Sequence, residues 1–282
     1  MTRKLCTLAL LTAVAVLAAG GALQAMPSLA GPTGIVSVPN ALVAPQGQLQ
    51  AALSFQQQSQ EMYGGSVDTD VWQLTVLAGV AKQAELWAAY ALADQDSPTA
   101  SETAHLWALG GKYQLTSEPK DQASLAIGAS MESWSDLAMS GDMYGLGLGD
   151  LDVIKAYIVA TKDFTPMTGG GWEYGNSPTR ILGSVGLLYA RIDPDLGDDM
   201  SMTRPFVGIE FLGSGGTDLG LEYRWKDSDI DEKAVFSAVL THKFSKNIEA
   251  QIGTTNAGPA GVGLDDQDIF LRLGYTFPMK AY

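Results

Sequence analysis

Over 269–277 every second residue is apolar. Ile269, Leu271, Leu273, Tyr275 and Phe277 alternate with Phe270, Arg272, Gly274 and Thr276. Successive side chains of a β-strand point to opposite faces, so this spacing builds one apolar face and one mixed face. The pattern recurs. Leu219, Leu221, Tyr223 and Trp225 enclose Gly220, Glu222 and Arg224. Val207, Ile209 and Phe211 alternate with Gly208 and Glu210, and Ile248, Ala250 and Ile252 with Glu249, Gln251 and Gly253. Gly, Asp, Asn, Ser and Pro separate the runs. Beyond the N-terminal region no apolar stretch reaches the roughly 18 residues that a spanning helix needs.

A soluble β-sandwich alternates too, and two details favour a membrane barrel. The mixed face is rich in Gly, Ser and Thr, which suits a narrow lumen. The apolar face carries Trp72, Trp87, Trp107, Trp134 and Trp225 near strand ends, as interfacial girdles require. The expected fold is all-β: a single antiparallel transmembrane β-barrel of about 12 strands with up-and-down topology. The strands are expected at 48–58, 70–81, 84–94, 103–116, 122–134, 151–164, 180–192, 204–213, 217–227, 233–245, 247–256 and 267–277.

Single-chain bacterial barrels have an even number of strands, short periplasmic turns and longer outer loops. The connections at 82–84, 214–216 and 245–247 are short. Those at 60–68, 95–102, 137–150, 193–203, 228–232 and 257–267 are expected to face outward. Three acidic clusters fall in this outer set: Asp193, Asp195, Asp198 and Asp199; Asp227, Asp229, Asp231 and Glu232; Asp265, Asp266 and Asp268. The connection 165–179 breaks the rule, being long on the periplasmic side, and puts the strand count in question by two. The last run ends at Phe277, which resembles the final strand that outer-membrane assembly machinery reads, with five further residues after it.

Residues 1–25 read as a signal peptide. Arg3 and Lys4 precede an apolar run over 5–17, too short to span a membrane, and small residues follow. Cleavage after Ala25 and cleavage after Ala30 both fit. Export to the outer membrane follows. The single cysteine, Cys6, lies within this segment, so the mature chain holds no disulfide or thiolate chemistry. Loss of Arg3 and Lys4 takes the formal charge from −14 to −16, and no basic stripe offsets it, which excludes nucleic acid as a partner.

The segment 26–47 does not alternate. Pro27, Pro32, Pro39 and Pro45 with Gly31, Gly34 and Gly47 exclude a long helix or strand there. It is either a flexible spacer or a strap packed at the barrel mouth, and Ile35, Val36, Val38, Leu42 and Val43 favour packing. The barrel then occupies 48–282. Gly31-Pro32-Thr33-Gly34-Ile35, then Pro39-Asn40-Ala41, then Gly47 ahead of a strand, resembles the start of YjbH-type outer-membrane proteins. The resemblance implies a short, barrel-only relative of a family tied to exopolysaccharide production or export.

Little in the sequence points to catalysis. The two histidines, His105 and His242, fall on apolar faces beside Trp107 and Phe244, without a histidine–serine signature. Asp227, Asp229 and Asp231 have the spacing of a calcium loop, but Glu232 stands where that loop needs glycine and Ala238 where it needs glutamate. The run Gly145-Leu146-Gly147-Leu148-Gly149 has no strand–turn–helix context and is expected to be an outer loop. No catalytic residue, cofactor or metal site is expected. The candidate lumenal charges are Lys112, Glu132, Lys155, Glu210, Glu222, Arg224, Lys243, Glu249 and Arg272. Their mixed signs predict a salt-bridged, largely occluded interior. The expected function is a non-enzymatic barrel in envelope structure or exopolysaccharide export. Porin-like passage of small solutes and a soluble ligand-binding barrel are the alternatives. Expected partners are outer-membrane lipid and lipopolysaccharide, the assembly machinery, and polysaccharide.

Overall fold

A computed structural model describes residues 27–62, 65–96, 101–116, 123–141, 145–165, 180–195, 199–213, 215–227, 233–258 and 263–278. The strands are β1 (Gln48–Met62), β2 (Gly65–Ala81), β3 (Ala84–Asp96), β4 (Ser101–Thr116), β5 (Ser124–Gly141), β6 (Gly145–Asp163), β7 (Arg180–Pro194), β8 (Met200–Leu212), β9 (Thr217–Arg224), β10 (Val235–Lys243), β11 (Ile248–Ala257) and β12 (Gly263–Pro278). Each pairs antiparallel with its chain neighbours, and β12 returns to β1, so the sheet closes into a 12-stranded up-and-down barrel. Closure removes the free edge that lipid does not tolerate, because lipid offers backbone N–H and C=O groups no partner. The closing seam runs in register from Gln48↔Pro278 to Gln57↔Ile269. We call the end holding Gln48 and Pro278 the inner end, since both termini of such barrels are periplasmic.

The strands reach further outward than their composition predicts. β1 and β2 pair up to Met62↔Gly65, and β5 and β6 up to Gly141↔Gly145. The segments 60–68 and 137–150 are therefore mostly hairpin, and Gly145–Gly149 lies in β6, not in a loop. Gly, Ser and Asp weaken the propensity signal there, but an antiparallel neighbour still satisfies every rung. A register shift between Trp134 and Leu137 accompanies a left-handed Asp136 (φ 59°), a bulge in β5. Most of 165–179, all of 228–232 and the signal segment lie outside the described residues. β6 and β7 pair directly, as at Asp163↔Leu182, so the wall is continuous across the long connection.

The outer face is apolar. Ile154, Val185 and Ile269 stay 58%, 57% and 63% exposed. A continuous band of such side chains is unfavourable in water and favourable against acyl chains. Tyr113, Phe244 and Phe277 mark its inner end, and Trp72, Trp107, Tyr189 and Trp225 lie toward its outer end. His105 and His242 stand on this same face, beside Tyr90 Oη at 3.0 Å and Thr217 Oγ1 at 2.9 Å.

Trp87 and Trp134 correct the girdle expectation: both are buried inside the barrel, 4% and 7% exposed. The period of two gives the reason. Trp134 shares parity with Glu132, and Trp87 with Glu85. In β3 both faces are apolar, with Leu86, Tyr90 and Leu92 outward and Trp87, Ala89, Ala91 and Ala93 inward, so hydrophobicity alone does not assign the face.

Ala52 and Gly274 face each other across the closing seam. Opposed antiparallel residues have Cα atoms about 4.5–5.5 Å apart, within disulfide reach. The double substitution Ala52→Cys, Gly274→Cys is expected to crosslink the first and last strands on oxidation, read by peptide mapping of the folded protein. Ala52→Cys combined with Tyr275→Cys, offset by one residue and on opposite faces, should not crosslink. Equal crosslinking of both pairs would contradict this register.

Candidate functional site

Residues 27–47 are neither a spacer nor a cover on the mouth: they run through the lumen as an irregular strap. Ile35, Val36, Val38, Ala41 and Ala44 are at most 4% exposed. Burial of each valine- or isoleucine-sized side chain is worth roughly 1.5–3 kcal/mol. Entering from β1, the strap donates Gly47 N–H to the Gly79 carbonyl of β2 (2.8 Å). It reaches β6 where Ala41 N–H donates to Thr161 Oγ1 (2.8 Å), and β8 where Asn40 Nδ2 donates to Glu210 (3.2 Å). Its far end returns to β2 and β12, where Gln73 donates to the Leu29 carbonyl (2.9 Å) and Arg272 to the Ser28 carbonyl (3.0 Å).

Proline and glycine explain the irregular path. Gly31 has φ 104°, a conformation open to glycine, and a Cβ there would fall 2.2 Å from the Trp87 ring. Ile35 is seated on two glycines of the wall: a Cβ on Gly208 or Gly220 would lie 2.5 or 2.6 Å from its side chain. The strap and the wall fit because the wall lacks side chains where Ile35 needs room.

Two buried carboxylates anchor the strap. Glu222 of β9 accepts from three consecutive backbone N–H groups, Val36 (3.0 Å), Ser37 (2.9 Å) and Val38 (3.1 Å), and from Ser37 Oγ (2.5 Å). Successive N–H groups converging on one anion form a nest. Glu85 of β3 accepts from Thr33 N–H (2.9 Å), Thr33 Oγ1 (3.1 Å) and Ala44 N–H (2.7 Å), joining two distant parts of the strap. Lys112 of β4 forms an ion pair with Glu85 (3.0 Å) and donates to the Thr33 and Asn40 carbonyls (3.0 and 3.1 Å) and to Thr33 Oγ1.

Each candidate lumenal charge has a defined place. Lys112, Glu222, Glu210 and Arg272 bond to the strap. Glu132 and Lys155 pair with each other at 2.6 Å. Lys243 pairs with Asp218 at 2.6 Å. Arg224 is buried near the outer end of β9, and Glu249 on β11. The sequence reasoning missed Glu85 and Asp218. Glu85 follows a tight turn in a strand that is apolar on both faces, and Asp218 sits one residue into β9, where an aspartate reads as turn. Parity with Gly220 would have found Asp218, whereas Glu85 shares parity with Trp87, whose assignment to the lipid face hid it.

The strap divides the lumen. On its outer side lies a cavity of about 1020 Å³, mouth included, lined by Trp87, Leu106, Trp134, Tyr157 and Leu188 around the Glu132–Lys155 pair. On its inner side about 770 Å³ is lined by charge: Arg180, Glu210, Asp218, Lys243 and Glu249. At the outer rim the Arg191 guanidinium, 2.7 Å from Asp199, holds that carboxyl below the usual carboxylate range.

No protein-family model matches the sequence, and no curated protein does. Among solved structures, an outer membrane channel from Pseudomonas putida F1 aligns with a TM-score of 0.50 at 12% identity, covering 86% of this chain and 100% of that one. The KdgM porin aligns at 0.48 and 14% identity, covering 82% and 99%. The translocator domain of the autotransporter NalP from Neisseria meningitidis aligns at 0.46 and 12%, covering 82% and 88%. The shared feature is the fold. The chain is a closed transmembrane-type β-barrel, with a lipid-facing apolar band, a continuous wall and a lumen that carries its polar groups.

Hydrogen bonds to a charged group contribute about 1.5–3 kcal/mol each. Glu222→Ala removes the acceptor for three N–H groups and is expected to loosen the strap. A cysteine at Val36, 1% exposed in the native barrel, reports this. Its labelling by a membrane-impermeant thiol reagent should be slow in the parent and at least roughly thirtyfold faster with Glu222→Ala, as about 2 kcal/mol would give. Unchanged labelling would show that Glu222 does not hold the strap.

Proposed function

We propose that this barrel is a strap-gated channel for small solutes. The observation that carries the proposal is the pair of cavities, one on each side of the strap and of the wall side chains, Phe206 and Phe270 among them, that pack against it. The rest of the wall is continuous sheet, so passage is controlled by a segment bound through side chains and not built into the ladder. With the strap seated the barrel is closed. With residues 27–44 displaced, the two cavities join into one passage lined by Glu85, Lys112, Glu210 and Glu222. Residues 1–25, or 1–30, direct export and are removed, and β12, ending near Phe277, is the strand that the assembly machinery engages.

A link to exopolysaccharide export rests on the likeness of residues 31–47 to YjbH-type proteins. Those residues build the strap: Thr33 bonds to Glu85, and Asn40 to Glu210. A polymer would need the whole strap withdrawn for as long as it threads, whereas a small solute needs only a transient gap. The small-solute role is therefore favoured over the polymer.

Planar-bilayer recording separates the alternatives. The full mature chain is expected to show rare, brief openings. Deletion of 27–44, in protein that still resists unfolding by detergent, should give stable conductance. A folded, strap-deleted barrel that stays silent would overturn the channel proposal.

A further inference from the structure

We infer that the outer cavity is a binding site for a small, neutral, hydrocarbon-like molecule. The site stands on its lining, and the molecule's role as a solute in passage rests on the channel reading above. Lumens of outer-membrane barrels are polar. This cavity departs from that rule. Leu106, Ala108 and Leu188 of the wall line it with the rings of Trp87, Trp134 and Tyr157. The polar atoms of those rings offer the cavity no surface. Trp87 Nε1, Trp134 Nε1 and Tyr157 Oη are all fully buried. The Trp87 and Tyr157 rings lie against Gly110 and Gly128 of the wall. The rings therefore turn carbon toward the space.

The hydrophilic side chains of the lining are already engaged within the protein. Glu132 and Lys155 pair with each other at 2.6 Å. Gln56, Gln58 and Gln73 donate to Asp268, to the Ala257 carbonyl and to the Leu29 carbonyl. Ser37 donates to Glu222, and Thr255 bonds to Ser237. Arg224 is engaged elsewhere in the protein. Ser130 is the one hydrophilic side chain of this lining without such a partner among the described residues. An ion entering the cavity would give up hydration to charges that already neutralise each other. A sugar would bring hydroxyl groups for which almost no partner is free. A neutral hydrocarbon brings no such demand, and it gains by leaving water and covering the carbon of the lining. Pro32, Val36 and Pro39 of the strap line the same space, so a bound molecule touches the gate.

The test places the full mature barrel in phosphatidylcholine vesicles with a neutral aryl trifluoromethyl-diazirine, a photoprobe that inserts into whatever it touches. Peptide mass mapping reads the label at Leu106, Trp134 and Leu188, which face the cavity, relative to that at Ile154 and Val185, which face lipid. The expected result is saturable labelling of the cavity residues. Excess toluene should lower the ratio of cavity to lipid-face label, and benzoate should not. Ala108→Asp sets an unpaired charge on the lining and should lower the ratio at least about tenfold. Ala108→Phe fills the space without charge and should lower it as well. Trp107→Phe, on the lipid face, should leave it unchanged. Retained resistance to detergent unfolding shows that each variant is folded. Absence of label at the cavity residues, equal displacement by benzoate, or an unchanged ratio in both Ala108 variants would overturn the assignment. The two proposals fail separately. Cavity labelling in a barrel that stays silent without its strap would end the channel and leave the site. A conducting, strap-deleted barrel whose intact parent takes no label in the cavity would do the reverse.

Discussion

Backbone that lies inside a barrel but outside its sheet has no ladder to satisfy it. The strand backbones pair with their neighbours all the way round. Residues 27–47 make a few bonds among themselves, such as Leu29 N–H to the Val36 carbonyl (2.8 Å) and Ile35 N–H to that of Val38 (3.2 Å). The remaining N–H groups must be met from the wall, and each buried donor left unmet would cost about 1–3 kcal/mol. Glu222 meets those of Val36, Ser37 and Val38 and Glu85 those of Thr33 and Ala44, while Thr161 and the Gly79 carbonyl take those of Ala41 and Gly47. A carboxylate suits this task because it accepts several bonds at once and needs no fixed donor geometry. The path of the strap, the division of the lumen and the closed state all follow from where these two side chains stand.

Much of this was legible in the sequence, for a specific reason. Alternation over 219–225 and 269–277 fixes both the strand and its faces, so Glu222 and Arg272 could be placed inside without coordinates. Connection length and even strand number gave the order of the barrel. The alternation fails where both faces are apolar. β3 is such a place, and Trp87 belongs to the cavity and not to the lipid; in β5 the parity of Trp134 with the lumenal Glu132 does give its face, and only the expectation of an aromatic girdle points the other way. Strand ends failed for a different reason: over 137–149 the pairing is supplied by the hairpin partner, and residue type says little about it. The strap was visible as a break in period, and its apolar residues showed that it packs. Its position in the lumen depends on Glu85 and Glu222, each separated from its partners by tens to hundreds of residues, a relation that no local pattern carries.

The interior is graded along the barrel axis. Charge dominates on the inner side of the strap, where Lys243–Asp218 and Arg180–Asp163 pair at 2.6 and 2.9 Å. Aromatic and aliphatic side chains dominate on the outer side, with the Glu132–Lys155 ion pair and Arg224 among them. Glycine is part of this design. Gly110 lets the Trp87 indole lie flat on the wall, and Gly128 does so for Tyr157, since a Cβ at either would fall 2.6 or 2.2 Å from the ring. Large rings therefore fit into a lumen that also holds a strap. The same absence of side chains at Gly208 and Gly220 seats Ile35.

For the gating role proposed above, the strap must be bound firmly enough to close the lumen and loosely enough to leave it, and the setting of these carboxylates reconciles the two. In a dry core, breaking a carboxylate's bonds leaves an unsolvated charge and is strongly unfavourable. Here the alternative to the seated strap is a lumen open to water at both ends. Glu85, Lys112 and Glu222 would rehydrate as the strap leaves, and so would its freed N–H groups. Net exchange of protein bonds for water bonds is about 0.5–1.5 kcal/mol for an ordinary pair and about 1.5–3 where one partner is charged, well below the cost of leaving the charge dry. The apolar contacts of Ile35, Val36 and Val38 do not exchange in this way, because water offers them nothing. The carboxylates thus set where the strap sits and in which register, while the three aliphatic side chains add a contribution that rehydration does not offset.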